Sequence, residues 1–112
     1  MDNTFYVNIG VNEAANIAID KIIRGSISGT LLDDYSVGSP DGGFCRVVIF
    51  EKYYARVSNR MTLTAVFDNM SGRTRVHFVG GGGGQNVLFS FDWGAASSFE
   101  NSVYNALRRF IV

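Results

Sequence analysis

The stretch that decides the fold reads 79-VGGGGGQNVLFSFDWGAASSFE-100, in which a glycine run separates two different hydrophobic patterns. Five consecutive glycines at 80–84 have no side chains to pack, and glycine loses more backbone entropy on ordering than any other residue. We therefore predict a loop there, or a bulge that another backbone or a ligand approaches closely. Directly after it, Val87, Phe89 and Phe91 recur at every second position, which predicts a strand with one buried face.

The last segment predicts a helix with a single apolar stripe. Ser97 and Glu100 have the spacing of a capping box, in which both side chains accept hydrogen bonds from backbone N–H groups at the helix start. Apolar residues then recur at i, i+4, i+7, i+8 and i+11, namely Phe99, Val103, Ala106, Leu107 and Phe110. Such a stripe is buried against another layer, so we expect this helix to pack on a sheet.

The preceding chain predicts a helix from Asn12 to Gly25 and five strands. The strands are expected at residues 4–9, 26–37, 44–56, 61–68 and 73–79. Asn12 is a typical N-cap residue, and Gly25 is expected to end the helix in the left-handed conformation.

Two of these strands carry further expectations about their faces. In the strand at 26–37, we place Ile27, Leu31, Tyr35 and Val37 on one side, where Gly29 is a candidate for a bulge or for a close helix crossing. The centre of the strand at 44–56, residues 47–50, is apolar on both faces, as in a central strand that is covered on both sides.

The element order predicts an α+β fold in one domain, residues 1–112. Consecutive hairpin-length links favour a single antiparallel sheet of about six strands, with two helices packed on one face in a helix-grip-like arrangement. A length of 112 residues, 46% of them hydrophobic, is sufficient for one packed core.

Composition limits the classes of partner and cofactor. Ten basic residues balance ten acidic ones, so we expect no nucleic acid and no membrane as partner. One cysteine, Cys45, excludes an internal disulfide and a cysteine-based metal cage. Without a signal-peptide pattern at the N-terminus, a cytoplasmic location is expected, and no cofactor is predicted.

The candidate site lies where a basic strand face meets the glycine run. Arg73, Arg75 and His77 alternate on one face, and successive glycine N–H groups can form an anion-binding nest. The predicted ligand is therefore small and anionic. The full candidate set comprises Arg73, Arg75, His77, Gly80, Gly81, Gly82, Gly83, Gly84, Gln85, Asp92 and Trp93. The alternatives are a plain hairpin loop and a solvated strand face paired with Asp68 or Glu51.

The residues available for catalysis are few. His77 is the only histidine, so an enzyme would need it to work with a carboxylate such as Asp92. Cys45 lies in an apolar strand and is interpreted as a small hydrophobe rather than a nucleophile. No catalytic residue and no metal ligand is assigned.

Several segments together resemble a known group of proteins. They are Phe50-Glu51-Lys52-Tyr53-Tyr54, Asn59-Arg60, Leu63-Thr64, Asp68-Asn69, Gly72, the glycine run and Phe91-Asp92-Trp93-Gly94-Ala95. From about Gly25 onward the chain resembles a family of small bacterial, largely Firmicutes proteins known only as a domain of unknown function. The resemblance implies a bacterial cytoplasm and brings no activity or binding residues with it.

Three functions remain open at this stage. The first is a non-catalytic binding or interaction module, because motifs for hydrolysis, metal binding and nucleotide transfer are missing. The second is a carrier of a small apolar or anionic ligand between the C-terminal helix and the sheet, and the third is an enzyme using His77 and Asp92. Because the net charge is near zero and an open sheet has unpaired edges, we also expect a homodimer.

Overall fold

The computed structural model of the protein describes residues 3–25, 28–55, 58–82 and 99–112. These ranges contain β1 (Thr4–Val7), α1 (Val11–Arg24), β2 (Gly29–Gly38), β3 (Phe44–Tyr54), β4 (Asn59–Asp68), β5 (Thr74–Gly81) and α2 (Ser102–Leu107). A 3-10 turn, Arg108–Phe110, follows α2. The α+β class and the single antiparallel sheet are confirmed, with five strands in the described ranges. The sixth predicted strand and Ser97 of the predicted capping box lie outside them.

The sheet has the strand order β1-β5-β4-β3-β2, so the first two strands of the chain lie at opposite edges. Strands β2 to β5 form a meander of antiparallel hairpins, and α1 connects the two edges across one face. The chain end pairs with the edge of β1 that faces away from β5, where Asn8 N–H donates to Phe110 O (3.0 Å) and Val112 N–H donates to Tyr6 O (3.1 Å). Among the described strands, β2 has a neighbour on one side only.

The hydrophobic core lies between the two helices and the face of the sheet that they cover, which we call the inner face. Fully buried residues of the sheet include Val48, Phe50, Leu63, Ala65, Phe67, Val76 and Phe78, and those of the helices include Ala14, Ala15, Ala18, Val103 and Leu107. Three alanines on α1 let the helix backbone approach the sheet closely. The apolar stripe predicted for the last helix is buried, since Phe99, Val103, Ala106 and Leu107 are buried and Phe110 packs against the core. The α-helix itself is shorter than predicted, because it spans only Ser102–Leu107, with Phe99 before it and Phe110 in the 3-10 turn.

The ends of α1 differ from the sequence prediction. The helix begins at Val11 with Gly10 as N-cap, so Asn12 lies inside its first turn. Gly25 ends the helix with a φ of −86°, which is not left-handed. Glycine is needed there for another reason, because a Cβ atom would lie 2.8 Å from the carbonyl oxygen of Lys21.

The faces of β2 were also predicted incorrectly. The pairing with β3 shifts register between Leu31 and Asp33, so the bulge falls at Leu32 rather than at Gly29. Because one extra residue inverts the alternation, Leu31 stands opposite the inner-face residue Phe50, whereas Tyr35 stands opposite Val47 on the outer face. Ile27 lies outside the described residues.

Strand β3, which lies between β4 and β2, has fully buried residues on its inner face only. Val48 and Phe50 have no exposed surface, whereas Val47 and Ile49 on the outer face are half-buried. The prediction that both faces are covered is therefore wrong for the described part of the chain. Neither described helix has both the length and the hydropathy needed to cross a bilayer.

Candidate binding site

Arg75 and His77 lie on the outer face of β5, and Arg73 immediately precedes the strand. Antiparallel pairing with β1 places Arg75 beside Tyr6 and His77 beside Thr4. The alternating strand face is therefore confirmed for the two residues within the strand. Each of the three basic side chains has a neighbour within the protein.

Arg75 is held by a carboxylate. Its Nε lies 3.2 Å from Asp68 Oδ2 and its Nη2 lies 3.0 Å from Asp68 Oδ1, which is a two-point arrangement. Hydrogen bonding to Asp68 raises the pKa of Arg75, and the charge of Asp68 raises it further. The alternative interpretation of this strand face, with Asp68 as the partner of a basic residue, is confirmed for Arg75. An anionic ligand would have to compete with this carboxylate.

The other two basic residues contact β1. The guanidinium carbon of Arg73 lies 4.1 Å from the centre of the Tyr6 ring, a cation–π distance. His77 Nδ1 lies 2.8 Å from Thr4 Oγ1. Both basic side chains are exposed, so an anion could reach them, and anion binding at this surface stays a prediction.

The described glycines of the run have structural roles. Gly80 and Gly81 continue β5 and pair with Leu63 and Thr62, so the loop prediction is wrong at these two positions. A Cβ atom on Gly80 would lie 3.1 Å from Glu100 Cγ, and Gly82 has a φ of +92° with its Cβ position 3.3 Å from a backbone oxygen. Close packing and a left-handed backbone therefore explain both glycines without a ligand. Gly83, Gly84, Gln85, Asp92 and Trp93 lie outside the described residues.

The groups considered for catalysis do not assemble a reactive centre in the described part of the chain. His77 stands on the exposed outer face, and its proposed partner Asp92 lies outside the described residues. Cys45 is half-buried, and burial raises the pKa of its thiol, with a further contribution from the charge of Asp68. No three histidine, cysteine, aspartate or glutamate side chains of residues 3–25, 28–55, 58–82 and 99–112 lie close enough together to hold a metal ion.

A polar cluster that sequence reasoning missed is centred on Arg46. This side chain is only 12% exposed, and its Nε and Nη2 donate to the two carboxylate oxygens of Asp34 at 2.8 and 2.7 Å. Its Nη1 lies 3.0 Å from both Asn12 Oδ1 and Asn16 Oδ1 on α1. The hydrogen bonds from Arg46 lower the pKa of Asp34. The sequence signal for this cluster was the pair Asn12 and Asn16, because residues four apart lie on the same face of a helix.

The Arg46 cluster fixes α1 against β2. The exposed apolar residues of the domain are concentrated on this same strand. Four of the eight exposed large hydrophobic residues in the described ranges lie on this strand: Leu31, Leu32, Tyr35 and Val37. They are 40% to 59% exposed. A long edge strand with this composition is a template for pairing with another chain.

The backbone groups of β2 that point away from β3 can be located from its hydrogen bonds. Ser39 N–H donates to Gly43 O at 2.8 Å across the β2–β3 turn. Because bonded and non-bonded pairs alternate in an antiparallel ladder, Asp34, Ser36 and Gly38 direct their N–H and C=O groups away from β3. A second contact supports this direction, since Asp34 N–H donates to the carboxylate of Asp33 at 3.0 Å.

An apolar groove lies beside the first residues of β2. Its volume is about 520 Å³, and Ile19, Ile23 and Leu31 supply its apolar side chains, with Gly29 at the strand start. An ion pair between Asp20 and Arg24 (2.8 Å) forms its rim on α1. The groove lies on the inner-face side of β2 beside Leu31, whereas Tyr35 and Val37 are exposed on the outer face of the same strand.

Comparisons with known proteins give a family and no activity. No curated protein and no solved structure matches the chain. A family model described as a family of unknown function matches residues 2–111, which extends the match beyond the segments that suggested the resemblance. The chain therefore belongs to the family of unknown function DUF6054.

Proposed function

We propose that this domain is a non-catalytic interaction module that binds an extended strand of its partner along β2. The observation that carries the proposal is the edge strand itself, ten residues long, with four exposed large hydrophobic side chains. In strand addition, backbone hydrogen bonds supply affinity and adjacent pockets select side chains. Asp34, Ser36 and Gly38 provide the backbone groups, and the groove beside Leu31 provides the pocket.

The alternatives have less support in the described residues. The carrier hypothesis requires a pocket between the C-terminal helix and the sheet, where Val103 and Leu107 are instead fully buried. In the anion hypothesis, Arg75 is already held by Asp68, which leaves Arg73 and His77 as the exposed basic groups. The catalytic hypothesis lacks a described partner for His77. A bacterial, cytoplasmic protein remains part of the proposal, supported by the family resemblance and the single free thiol.

A displayed library of random peptides tests the proposal. Peptides enriched by the dilute domain should be extended and apolar at alternate positions, and their addition should shift the amide signals of Ser36 and Gly38. Replacement of Leu31 by Glu should weaken binding at least about tenfold, the loss of about 1.4 kcal/mol. Val79→Glu is the matched control, because Val79 is 49% exposed on the outer face, away from β2.

Two results would contradict the proposal. One is a set of enriched peptides whose binding shifts Arg73, Arg75 and His77 and leaves Ser36 and Gly38 unchanged. The other is a failure to enrich any peptide whose binding Leu31→Glu reduces.

A further inference from the structure

We infer that the strand bound by β2 is β2 of a second copy of this chain, paired antiparallel about a two-fold axis at Ser36. This inference rests on the proposed function and names its partner. The two sheets would then form one continuous sheet. Three properties of β2 support this register: its backbone pattern, its exposed side chains and its charges.

The backbone pattern is self-complementary around Ser36. In an antiparallel pair centred on a bonded position, each Ser36 donates to and accepts from the other. Asp34 then stands opposite Gly38 of the second copy, and these are the other two residues whose backbone groups point away from β3. The Asp33 carboxylate now accepts from Asp34 N–H (3.0 Å), and it would be displaced when the strands pair.

The exposed side chains also complement one another in this register. Tyr35 of each copy stands opposite Val37 of the other on the outer face. This is a non-bonded position of the new ladder, where side chains approach most closely. Pairs of an aromatic and a β-branched residue stabilise antiparallel sheets. Tyr35 is 59% exposed and Val37 is 50% exposed, so pairing removes apolar surface from water on both copies.

The charges disfavour a register centred on Asp34. A two-fold axis at Asp34 would place the two Asp34 residues opposite each other, with Asp33 beside them, and like charges directly opposite are destabilising. The Ser36 register instead places Asp34 opposite a glycine and Asp33 opposite Ser39. The charge of Asp34 is also compensated by Arg46 at 2.7 Å. The net charge of zero adds no long-range repulsion between copies.

The mass in solution, measured by light scattering over a concentration series, tests the inference with matched variants. Wild type and Val79→Lys should show the mass of a dimer at about 100 μM, where mass action favours association. Val37→Lys should raise the dissociation constant at least about tenfold, because it places two lysines at the new pairing edge. Val37 and Val79 are the same residue type with nearly equal exposure, 50% and 49%.

Ser36→Pro is a second, independent variant. Proline removes the outward N–H of Ser36 while the ladder to β3 keeps its bonds, so the variant should remain folded by circular dichroism and lose the dimer. Ser36→Ala keeps the N–H and should retain the dimer. A dimer that survives both Val37→Lys and Ser36→Pro would overturn the inference.

The outcomes separate this inference from the proposed function. A monomeric wild type whose Ser36 and Gly38 signals still respond to enriched peptides overturns the second copy as partner and leaves the module intact. A dimer insensitive to the β2 variants, together with peptides that bind elsewhere, overturns both.

Discussion

Gly82 and Gly81 are neighbours that differ in whether their positions can accept a Cβ atom. Gly82 has a φ of +92°, and a Cβ atom there would lie 3.3 Å from Arg60 O, whereas the nearest atom to a Cβ on Gly81 is Thr62 Oγ1 at 3.9 Å. A glycine run read from sequence alone suggests one shared role. The structure instead assigns a separate role to each glycine that it describes.

Substitution of these two glycines tests the structural explanation. Gly82→Ala should reduce the free energy of unfolding by about 1–2 kcal/mol, because a left-handed backbone is strained for any residue with a Cβ. Gly81→Ala should leave it unchanged or raise it by up to about 1 kcal/mol, since alanine restricts the unfolded chain. Urea unfolding measures both, and equal losses at the two positions would show that the run is uniformly constrained.

The Arg46–Asp34 pair predicts a specific pH dependence. Hydrogen bonds from Arg46 hold the folded-state pKa of Asp34 below its ordinary value of 3.8, so the pair stabilises the fold above that pH. As the pH falls through the folded-state pKa, Asp34 becomes protonated and this stabilisation is lost. Asp34→Asn should therefore reduce the free energy of unfolding by up to about 1 kcal/mol at neutral pH. The difference from wild type should shrink as the pH falls below 3.8 toward and through the lowered folded-state pKa, and a difference that stays constant with pH would contradict this role.

At the scale of elements, the burial of the C-terminal apolar stripe was predicted well because the stripe is long and periodic. Phe99, Val103 and Leu107 follow helical spacing and are buried. Strand β4 was predicted for a similar reason, since Met61, Leu63 and Ala65 alternate and face the core. Local periodicity is sufficient where one face of an element is buried and the other is solvated.

Other features depend on contacts between distant parts of the chain, and sequence alone did not reveal them. The bulge at Leu32 inverts the faces of β2, although nothing in the sequence marks that residue. Arg46 bonds to Asn12 and Asn16 on α1, which lie 34 and 30 positions earlier in the chain. Gly25 was predicted to end the helix in the left-handed conformation, but glycine is needed there because a Cβ atom would lie too close to the Lys21 carbonyl oxygen. The loop predicted at Gly80 is absent because the strand continues there, and Glu100 packs against this glycine.

Phe99 and Phe110 offer a matched test of how the last helix packs. Phe99 is 4% exposed, so Phe99→Ala should cost about 3–5 kcal/mol of unfolding free energy. Phe110 is half-buried in the 3-10 turn, and Phe110→Ala should cost clearly less. Chemical denaturation measures both, and a loss below about 1 kcal/mol for Phe99→Ala would reject the helix-on-sheet packing.

At the scale of the whole molecule, the two edges of the sheet differ. The edge of β1 that faces away from β5 is covered by the chain end, where Ile111 bridges Val7. Strand β2 directs backbone groups away from β3, has no second strand neighbour among the described strands, and exposes apolar side chains. In the described part of the chain, this asymmetry identifies β2 as the edge that can accept a strand.

Hydrogen exchange of the β2 amides tests this claim most directly. Ser36 and Gly38 direct their N–H groups away from β3, whereas Tyr35 and Val37 direct theirs toward it, so one strand carries both the probe and its control. A rise in protein concentration should slow exchange at Ser36 and Gly38 about tenfold or more, with Tyr35 and Val37 little changed. Equal exchange rates for Ser36 and Gly38 in dilute and concentrated protein would contradict the pairing of β2 with β2 of a second copy.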